Sequence, residues 1–231
     1  MNNINDKVSV IMSVYNNESD VSNSIESIIN QTYKNIELLI VDDGSKDNTL
    51  KICKEYAKQH KNIKLYENKT NIGLTKSLNK LINFTSGQYI ARQDADDVSN
   101  LKRIEKQLKF LHSKNLDACC TRANIMNTKK IIPGLSFYIP IKMIINVKNP
   151  FIHGTLLIKK SILNKLGNYD ERFFYSQDYR LMKNLVLSSY KVKTINETLY
   201  DLNMENNISN KFKDDQKYYS DCVKKDIDPK L

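Results

Sequence analysis

Carboxylate side chains are concentrated at two places in the first hundred residues, each directly after an apolar run. Asp42 and Asp43 follow the run at 36–41, and the segment 94–97, with three aspartates, follows the run at 88–91. So many like charges within one turn repel each other unless a cation or hydrogen bonds offset them. Mg²⁺ and Mn²⁺ prefer such oxygen ligands and complete their coordination with substrate phosphates and water. The pattern therefore predicts a divalent cation that holds a phosphorylated substrate.

A capping or turn cluster is the alternative explanation for an isolated Asp-x-Asp motif such as the one at 94–96. That alternative has to account for Asp42 and Asp43 as well, and it is the better explanation only for the nearby Ser45 and Asp47. Asp47 is placed to cap the following helix, and Gly44 permits a tight turn.

Several other chemistries lack their motifs. The six glycines form neither GxGxxG nor GxxxxGK[ST], which argues against a dinucleotide-binding enzyme and a P-loop NTPase. The three histidines have no HExxH or Cys/His spacing, which argues against a zinc site, and there is no GxSxG elbow of a hydrolase.

The elements that must position the carboxylates alternate between strand and helix signals. Apolar, β-branched runs predict four strands, and apolar residues at helical spacing predict four helices. The predicted strands are 8–14, 36–41, 62–66 and 88–91, and the predicted helices are 19–31, 46–60, 75–83 and 99–112. This alternation predicts an α/β fold with a parallel sheet, in which ligands bind at the carboxyl ends of the strands.

The pattern is weaker after residue 115. Strands are predicted at 117–123, 155–159, 191–195 and 198–202, and helices at 161–166 and 178–189. The segment 127–150 contains three prolines and predicts a long, partly mobile connection over the site. The tail from 205 is polar and predicts helix or disorder. No linker is visible, so we expect a single domain over 1–231.

The excess of positive over negative charge is confined to residues 101–200. The formal net charge of the 231 residues is +10, and residues 101–200 contain 18 Lys and Arg against 6 Asp and Glu. A basic face attracts nucleic acid, anionic lipid or a phosphorylated substrate, and the alternative is a solvated lysine-rich surface.

The cysteine pattern and the N-terminus predict a cytosolic protein. The four cysteines have no CxxC spacing, so we expect reduced, mostly buried thiols. No signal peptide is visible and no apolar run reaches the ~20 residues of a membrane span. The basic surface would allow peripheral contact with the inner face of an anionic membrane.

Taken in order, the motifs resemble those of the family 2 glycosyltransferases, whose fold is GT-A. The matching segments span residues 8–190 in the family's order. They are 8–18 (VSVIMSVYNNE), 40–49 (IVDDGSKDNT), 71–79 (NIGLTKSLN), 89–97 (YIARQDADD), 149–153 (NPFIH), 169–173 (YDERF) and 177–178 (QD). The resemblance implies a Rossmann-like, mostly parallel sheet flanked by helices, with a C-terminal part on the acceptor side.

The resemblance assigns nucleotide-binding roles within the first half. Ser13 and Tyr15 match positions that cradle the base, and Asp43 matches the aspartate that hydrogen-bonds uracil. Asp42 then supports the ribose or the loop. Lys76 lies near the predicted phosphate region, and a surface position is its alternative.

The Asp-x-Asp motif of the family matches Asp94 and Asp96, with Asp96 as the direct metal ligand. Asp97 is expected to orient the sugar or the metal shell. Arg92 is a second candidate near the phosphates, with a surface position as its alternative.

Asp178 matches the aspartate that serves as general base in inverting members. The family more often has Glu before that base, where this chain has Gln177. His153 is a candidate contact to the diphosphate, the metal or the acceptor, and a structural role is equally open. The family usually has proline after this histidine, where this chain has Gly154.

The function implied by the resemblance is an inverting, metal-dependent glycosyltransferase. Its donor would be a nucleoside-diphosphate sugar, UDP-linked, bound by the half 1–115 with Mn²⁺ or Mg²⁺. Its acceptor, a glycan or a lipid-linked hydroxyl in surface-polysaccharide biosynthesis, would enter from the half 116–204, followed by the tail 205–231. No nucleic acid is expected as a partner.

Three other functions remain open. A nucleotidyltransferase of the same fold would need a Gly-rich, basic loop after the first strand, where this chain has 15–18 (YNNE). A basic nucleic-acid-binding protein would leave the acidic clusters unexplained. A degenerate, non-catalytic assembly protein would not need the set Asp43, Asp96 and Asp178.

Overall fold

The computed structural model describes residues 5–204 and 212–230. Nine strands are present in this part of the chain: β1 (Val8–Val14), β2 (Ile36–Asp42), β3 (Ile63–Glu67), β4 (Tyr89–Arg92), β5 (Val98–Ser99), β6 (Ala118–Ile125), β7 (Ile131–Ile132), β8 (Leu157–Lys159) and β9 (Val192–Leu202).

Eight α-helices and two 3₁₀ turns accompany these strands over the same described residues. The helices are α1 (Val21–Ile29), α2 (Thr49–Gln59), α3 (Leu74–Phe84), α4 (Arg103–Ser113), α5 (Ile141–Ile144), α6 (Lys160–Lys165), α7 (Gln177–Leu187) and α8 (Lys213–Lys225). The 3₁₀ turns are Leu135–Tyr138 and His153–Thr155.

The strands form one sheet in the order β3-β2-β1-β4-β8-β6-β9-β5, with β7 paired to β6. The four strands β3, β2, β1 and β4 are parallel. Beyond β4 the pairing is mixed, with β6 and β9 parallel and β8 antiparallel to both β4 and β6. The predicted α/β fold with a parallel first half is therefore confirmed.

Helices cover both faces of the sheet, which explains why β1 and β2 are continuous apolar runs. In β2, Leu39 and Val41 pack on one face with residues of α3, α6 and α7. Leu38 and Ile40 pack on the other face with residues of α1, α2 and α4. This alternation follows the two-residue period of a strand.

The acidic clusters lie at the carboxyl ends of β2 and β4, the two parallel strands that flank β1, as predicted. Val14, the last residue of β1, pairs with Asp42, and Ile11 pairs with Arg92 at the end of β4. The backbone N–H of Asp43 donates to the Val14 carbonyl at 2.8 Å. One edge of the sheet therefore presents both clusters.

The predicted helix at 99–112 is wrong at its start. Ser99 belongs to β5, where it pairs with Tyr200 of β9, and the helix begins at Arg103. The pairing partner is about a hundred residues away in sequence, so local periodicity does not detect it.

Three predictions in the second half also need correction. The strand predicted at 155–159 is shorter, because Thr155 ends a 3₁₀ turn and β8 begins at Leu157. The two late strands are one strand, β9, with a bulge where Ile195 pairs with Thr121 and Thr198 with Arg122. The connection 127–150 contains β7, a 3₁₀ turn and α5.

The tail was predicted to be helical or disordered. Residues 205–211 lie outside the described part of the chain, and helix is found at α8. The cysteine prediction is confirmed, since all four thiols are free and buried. None of the helices in the described ranges combines the length and apolar character that a bilayer span requires.

Candidate functional site

Asp42 holds the turn that follows β2. Its Oδ1 accepts hydrogen bonds from the backbone N–H groups of Gly44, at 3.1 Å, and Ser45, at 3.0 Å. Gly44 has φ +80°, and a Cβ there would lie 2.8 Å from the carbonyl carbon of Thr70. The buried side chain of Asp42 thus supports the loop, which was one of its two predicted roles.

Asp43 fixes the loop after β3 from the same position. Its Oδ1 accepts from Asn68 Nδ2 at 2.8 Å and from the Ile72 N–H at 2.9 Å, and its Oδ2 accepts from the Gly73 N–H at 3.0 Å. A carboxylate has about four acceptor positions. Asp43 therefore retains acceptor capacity for a ligand, and its contact with a base stays a prediction.

The remaining nucleotide-site candidates lie on β1 and α3. Ser13 is half-buried and pairs with Val41 in the sheet, one residue before Asp42. Tyr15 follows β1 with 46% of its surface exposed. Ser13 and Tyr15 therefore share the strand ends with the acidic turn, whereas Lys76 is exposed on α3.

The Arg92 side chain is buried at the end of β4. Its Nη1 donates to the Ile11 carbonyl at 3.0 Å and to the Gln93 carbonyl at 2.8 Å, and its Nη2 pairs with Asp94 Oδ1. A surface position for Arg92 is therefore wrong. Its guanidinium holds Oδ1 of Asp94 in a charge-assisted hydrogen bond.

Gln93 braces the turn that carries the three aspartates. Its Nε2 donates to the Asp97 carbonyl at 2.9 Å, and its Oε1 accepts from Ser99 Oγ at 2.6 Å. The Asp97 N–H also donates to the Asp94 carbonyl at 3.3 Å. The turn is thus held by buried polar contacts on the protein side.

Asp96 is half-buried, and in the described part of the chain no side chain donates a hydrogen bond to its carboxylate. Burial, with Asp94 close by, raises the pKa of Asp96 to about 6. Negative charge at this position is therefore under-compensated by the protein itself, and a cation would stabilise it.

Asp97 points into the protein and is 1% exposed. Its Oδ1 accepts from the Asn203 N–H at 2.7 Å, and the Tyr200 hydroxyl is a further hydrogen-bond partner. Burial, together with Asp94 and Asp96, raises the pKa of Asp97 to about 8. Asp97 therefore links the turn to the end of β9, and its predicted role toward the sugar or the metal shell stays a prediction.

The donor set fits a divalent cation that is shared with a substrate. Over residues 5–204 and 212–230 no group of three or more His, Cys, Asp or Glu side chains is arranged as a complete metal site. Mg²⁺ is typically bound by one or two carboxylates together with substrate phosphates and water. Asp96 and the Oδ2 atom of Asp94 supply such an incomplete set.

Gly154 brings the second half of the chain against this turn. A Cβ at residue 154 would lie 2.7 Å from Asp94 Oδ2 and closer still to the Tyr200 hydroxyl. Glycine is required here because the backbone passes directly beside Asp94. This contact places the neighbouring His153 close to Asp94.

Arg103 connects the end of β4, Gly154 and Tyr200 through buried contacts. The sequence analysis did not predict this role. Its Nη1 donates to the Gly154 carbonyl at 2.7 Å, its Nη2 donates to the Arg92 carbonyl at 3.0 Å, and its guanidinium lies 5.3 Å from the Tyr200 ring centroid. Burial lowers the pKa of Arg103 to about 10, so the side chain stays charged. The sequence signal that could have indicated this role is the position of Arg103 on the buried face of α4, four residues before the buried Gln107.

Asp178 lies in the first turn of α7, where a carboxylate is favoured by the helix dipole. Its Oδ2 accepts from Asn149 Nδ2 at 2.7 Å. Asn149 comes from the end of the long connection, so this hydrogen bond fixes the carboxylate to a second element. The preceding Gln177 is buried.

His153 and Tyr169 are close enough to Asp94 and Asp178 for the charge of each carboxylate to act on both side chains. His153 Nε2 is 2.7 Å from the Tyr169 hydroxyl. Burial and the Arg92 charge lower the pKa of His153 to about 4, against the opposing effect of Asp178 and Asp94. The imidazole is therefore neutral near pH 7, and its Nε2 can accept a hydrogen bond from the Tyr169 hydroxyl.

The structure thus places His153 close enough to Asp94 and Asp178 to feel both charges, and it places Asp96 near Asp94. This region combines candidate cation ligands after a strand end with a separate carboxylate in the first turn of a helix. Such an arrangement can neutralise a phosphorylated leaving group on one side and accept a proton on the other.

Comparison with known proteins identifies the family to which this chain is similar. The chain matches the family described as Glycosyl transferase family 2 over residues 9–190. It is 32% identical over 214 residues to WfgD of Escherichia coli, described as a UDP-Glc:alpha-D-GlcNAc-diphosphoundecaprenol beta-1,3-glucosyltransferase. That alignment covers 90% of this chain and 81% of WfgD.

Solved structures share the fold. The crystal structure of S. aureus TarS 1-349 in complex with UDP-GlcNAc superposes with a TM-score of 0.72 at 21% identity, over 87% of this chain and 59% of that one. The mannosyltransferase PcManGT from Pyrobaculum calidifontis, in complex with GDP-Man and Mn²⁺, gives a TM-score of 0.76 at 18% identity, over 98% and 66%.

The present chain is therefore shorter than these two structures, and it covers less than two thirds of each. The structural likeness confirms the GT-A type of fold. The match to the family over residues 9–190, together with the identity to WfgD, shows that the chain belongs to glycosyl transferase family 2 and is a glycosyltransferase.

Proposed function

We propose that this enzyme transfers a sugar from a nucleoside diphosphate to a hydroxyl group, with inversion at the anomeric carbon and with the help of a divalent cation. The observation that carries the proposal is that His153 lies close to both Asp94 and Asp178, with Asp96 near Asp94. A donor site with a cation needs Asp94 and Asp96, and a single in-line displacement needs Asp178.

The nucleotide is proposed to bind across the ends of β1 and β2. Asp43 is rigidly held by three hydrogen bonds and keeps acceptor capacity for a base N–H. Ser13 and Tyr15 adjoin it on β1. The donor name of WfgD and the ligand of TarS favour UDP, whereas the GDP-Man of PcManGT makes a guanine nucleotide the alternative to test.

Asp96 and Oδ2 of Asp94 are the proposed cation ligands. A bound Mn²⁺ or Mg²⁺ supplies positive charge that stabilises the diphosphate as it leaves. The chain's own contribution is to fix the ligands, because Arg92 orients Asp94 and Gln93 holds the turn. This placement limits the reorganisation needed as negative charge develops.

Asp178 is the proposed general base. Its carboxylate takes the proton of the acceptor hydroxyl while that oxygen attacks the anomeric carbon and the bond to the diphosphate breaks. The product is a glycoside of inverted configuration and a nucleoside diphosphate. Asn149 orients the carboxylate, so that one oxygen is held and the other is available to the acceptor.

The acceptor is proposed to be a glycan or a lipid-linked sugar of surface-polysaccharide assembly. The support is the diphosphoundecaprenol-linked acceptor in the name of WfgD. The net +12 of residues 101–200 suits an acceptor that carries a diphosphate. Nucleic acid is not part of this proposal, because the acidic site lies at the strand ends.

The test is nucleotide release from a panel of UDP- and GDP-sugars, with and without a chelator, in the wild type, Asp96→Ala and Asp178→Asn. Asp214→Asn, an exposed carboxylate on α8, is the matched control. We expect chelator-sensitive release that is lost in Asp96→Ala and unchanged in Asp214→Asn. Calorimetry should show no cation-assisted UDP or GDP binding to Asp96→Ala.

General-base catalysis supplies roughly 10²–10⁴-fold. With a working acceptor, Asp178→Asn should therefore lose transfer by that factor and still bind the nucleotide with wild-type affinity. Full transfer activity in Asp178→Asn would disprove the base. Cation-independent nucleotide binding that is equal in the wild type and Asp96→Ala would disprove the cation site.

A further inference from the structure

A concentration of exposed apolar side chains lies on the connection that leads to Asn149. We name residues 129–148 the apolar-basic segment. Four of its large apolar side chains are more than half exposed: Leu135 at 88%, Tyr138 at 70%, Met143 at 66% and Val147 at 66%. Ile131 and Ile139 add 39% and 43%. So many exposed apolar side chains within one segment are the feature that marks an interaction site on a protein surface.

The backbone conformation aligns these side chains in pairs. Leu135 and Tyr138 begin and end a 3₁₀ turn, in which residues three apart are eclipsed. Met143 and Val147 are four residues apart, where the backbone is helical, since the Lys148 N–H donates to the Ile144 carbonyl at 2.9 Å. Each pair therefore projects to one side.

The opposite side of the segment is anchored to the protein. Ile144 and Ile145 are buried, and the Tyr179 hydroxyl donates to the Ile145 carbonyl at 2.6 Å. The exposure of Met143 and Val147 is thus a property of the fold, because their neighbours already fill the core.

The charge around these apolar residues is of one sign. Lys129, Lys130, Lys142 and Lys148 are exposed in the same segment. No Asp or Glu occurs in the sequence between Asp117 and Asp170, a stretch with eight Lys and Arg. A partner for this surface must therefore offer negative charge next to apolar material.

This combination discriminates between partners. A second copy of the chain would bring like charges together in a symmetric contact, which is unfavourable. A nucleic acid would use the lysines and Tyr138, but it offers no apolar environment for Leu135, Met143 and Val147. An anionic bilayer provides both, with phosphate groups at its surface and acyl chains beneath.

We propose that the apolar-basic segment docks on an anionic lipid bilayer. Leu135, Tyr138, Met143 and Val147 enter the headgroup region, and the four lysines contact lipid phosphates. The segment ends at Asn149, which holds Asp178. Docking therefore places the proposed base near the membrane, where a lipid-linked acceptor would be found. Only this consequence rests on the proposed function; the docking itself does not.

Sedimentation of the full chain with vesicles tests the docking without any donor or acceptor. We expect binding to phosphatidylcholine vesicles that contain phosphatidylglycerol, and weak binding to phosphatidylcholine alone. Binding should weaken about fivefold for each lysine replaced by glutamine at 129, 130, 142 and 148. The matched control removes four exposed lysines elsewhere: Lys51→Gln, Lys58→Gln, Lys61→Gln and Lys69→Gln.

The apolar contribution has its own matched pair. Leu135→Ser with Met143→Ser should abolish binding, whereas Leu101→Ser with Leu187→Ser, which removes two other exposed leucines, should leave it unchanged. Each variant is compared with the wild type by circular dichroism and by nucleotide binding. Retained nucleotide binding together with lost vesicle binding separates this proposal from the proposed function.

A spectroscopic readout is available because the chain has no tryptophan. Tyr138→Trp should show a blue-shifted emission when phosphatidylglycerol vesicles are added, and Leu187→Trp should not. Equal loss of binding in both lysine sets would overturn the proposal, since general positive charge would then explain the binding. The proposal would also be overturned if the wild type self-associated without binding vesicles, and if Leu135→Ser with Met143→Ser abolished that self-association.

Discussion

The side-chain amide of Asn149 donates a 2.7 Å hydrogen bond to Oδ2 of Asp178, across two elements that are separated in sequence. The amide comes from the end of the long connection, and the carboxylate comes from the first turn of α7. One carboxylate oxygen is thereby fixed in position. The orientation of the base and the conformation of the connection are therefore coupled.

Replacing Asn149 should affect catalysis more than binding. Asn149→Ala removes one hydrogen bond to a charged group, which contributes about 1.5–3 kcal/mol. We expect the turnover number to fall by about 10- to 100-fold, while the affinity for UDP stays unchanged. Asn149→Asp should in addition move the acidic limb of the pH–rate profile to higher pH, because a second carboxylate disfavours ionisation of Asp178.

Steady-state kinetics with a soluble acceptor analogue would measure both effects. Asn146→Ala, an exposed asparagine on the same connection, is the control. If Asn149→Ala lowers UDP affinity and turnover equally, the residue supports the fold and does not position the base.

Gly154 should tolerate no side chain. In Gly154→Ala the new methyl group would meet Asp94 Oδ2 and the Tyr200 hydroxyl, so one of them has to move. Overpacking of this kind costs about 1–3 kcal/mol of the free energy of unfolding. Because the displaced group is a proposed cation ligand, cation-assisted nucleotide binding should weaken as well.

Gly134→Ala is the matched control, since a Cβ at that glycine meets nothing within 4 Å. Denaturant unfolding and calorimetry with UDP and Mn²⁺ would compare the two variants. Wild-type stability and wild-type binding in Gly154→Ala would contradict the close approach of the backbone to Asp94.

The strand-end carboxylates could be predicted because their signal is local. An apolar run followed by Asp42 and Asp43 contains both the strand and its end, and the rule for parallel sheets supplies the location. The contacts of Arg103 and Tyr200 could not be predicted in this way. Tyr200 reaches the site because β9 pairs with β5, and Arg103 reaches it through the distant Gly154. Such long-range contacts leave no periodic pattern in the sequence.

The departures from the family pattern show the same division. Gly154 is visible in the sequence as a missing proline, but its reason is the position of Asp94, far away in the chain. In the same way, Asp97 resembles its neighbours in sequence, whereas in the structure it is buried against Asn203. Motif order predicts which residues are candidates, and tertiary contacts determine what each of them touches.

Glu37 should make the protein sensitive to acid. It is buried on β2 and accepts hydrogen bonds from Ser9 Oγ at 2.6 Å, the Ser86 N–H at 2.7 Å and Lys64 Nζ at 2.9 Å. Burial alone would raise the pKa of Glu37, but these bonds outweigh it and hold the pKa well below its usual range. The folded state therefore keeps Glu37 ionised at pH values where the unfolded chain is protonated.

The sign follows from linkage. Stability from this group is fully present above the unfolded pKa of about 4.3 and is lost as the pH falls below it. In Glu37→Gln the free energy of unfolding at neutral pH should fall by about 2–3 kcal/mol, as expected for hydrogen bonds to a charged group. The stability of this variant should also decrease less steeply than that of the wild type as the pH falls. Denaturant midpoints as a function of pH measure both, with the exposed Glu55→Gln as control. An unchanged acid slope in Glu37→Gln would contradict the assignment.

His153 should act in a different pH range. Burial and Arg92 lower the pKa of His153 to about 4 in the folded chain, whereas the unfolded value is about 6.5. As the pH falls below about 6.5, the histidine is protonated in the unfolded chain before it is protonated in the folded chain. The free energy of unfolding therefore decreases by up to about 1.4 kcal/mol per pH unit until the pH reaches the folded pKa. Stability from the neutral imidazole is present above about pH 6.5.

NMR of the imidazole resonances would test this directly. The resonance that disappears in His153→Gln should not titrate between about pH 8 and pH 5, whereas His60→Gln identifies a different resonance. A midpoint near 6.5 for His153 would contradict its burial. Tyr169→Phe should leave the histidine neutral and remove only the hydrogen bond to Nε2.

Replacing Arg103 should lower both the stability of the fold and the binding of the nucleotide. Its two donors hold the Gly154 and Arg92 carbonyls, so it joins the turn of the aspartates to the second half of the chain. Arg103→Met leaves both buried carbonyls without these donors, at a cost of about 1–3 kcal/mol each. Arg103→Lys keeps the charge, but a single ammonium lacks the planar fork that spans two acceptors.

We therefore expect Arg103→Lys to restore part of the stability lost in Arg103→Met, and neither variant to restore cation-assisted UDP binding. The exposed neighbour Lys102→Met is the control for changes on α4. Thermal unfolding and calorimetry with UDP and Mn²⁺ separate the two effects. If Arg103→Lys binds UDP like the wild type, the bridge between the two carbonyls stabilises the fold and does not position Asp94.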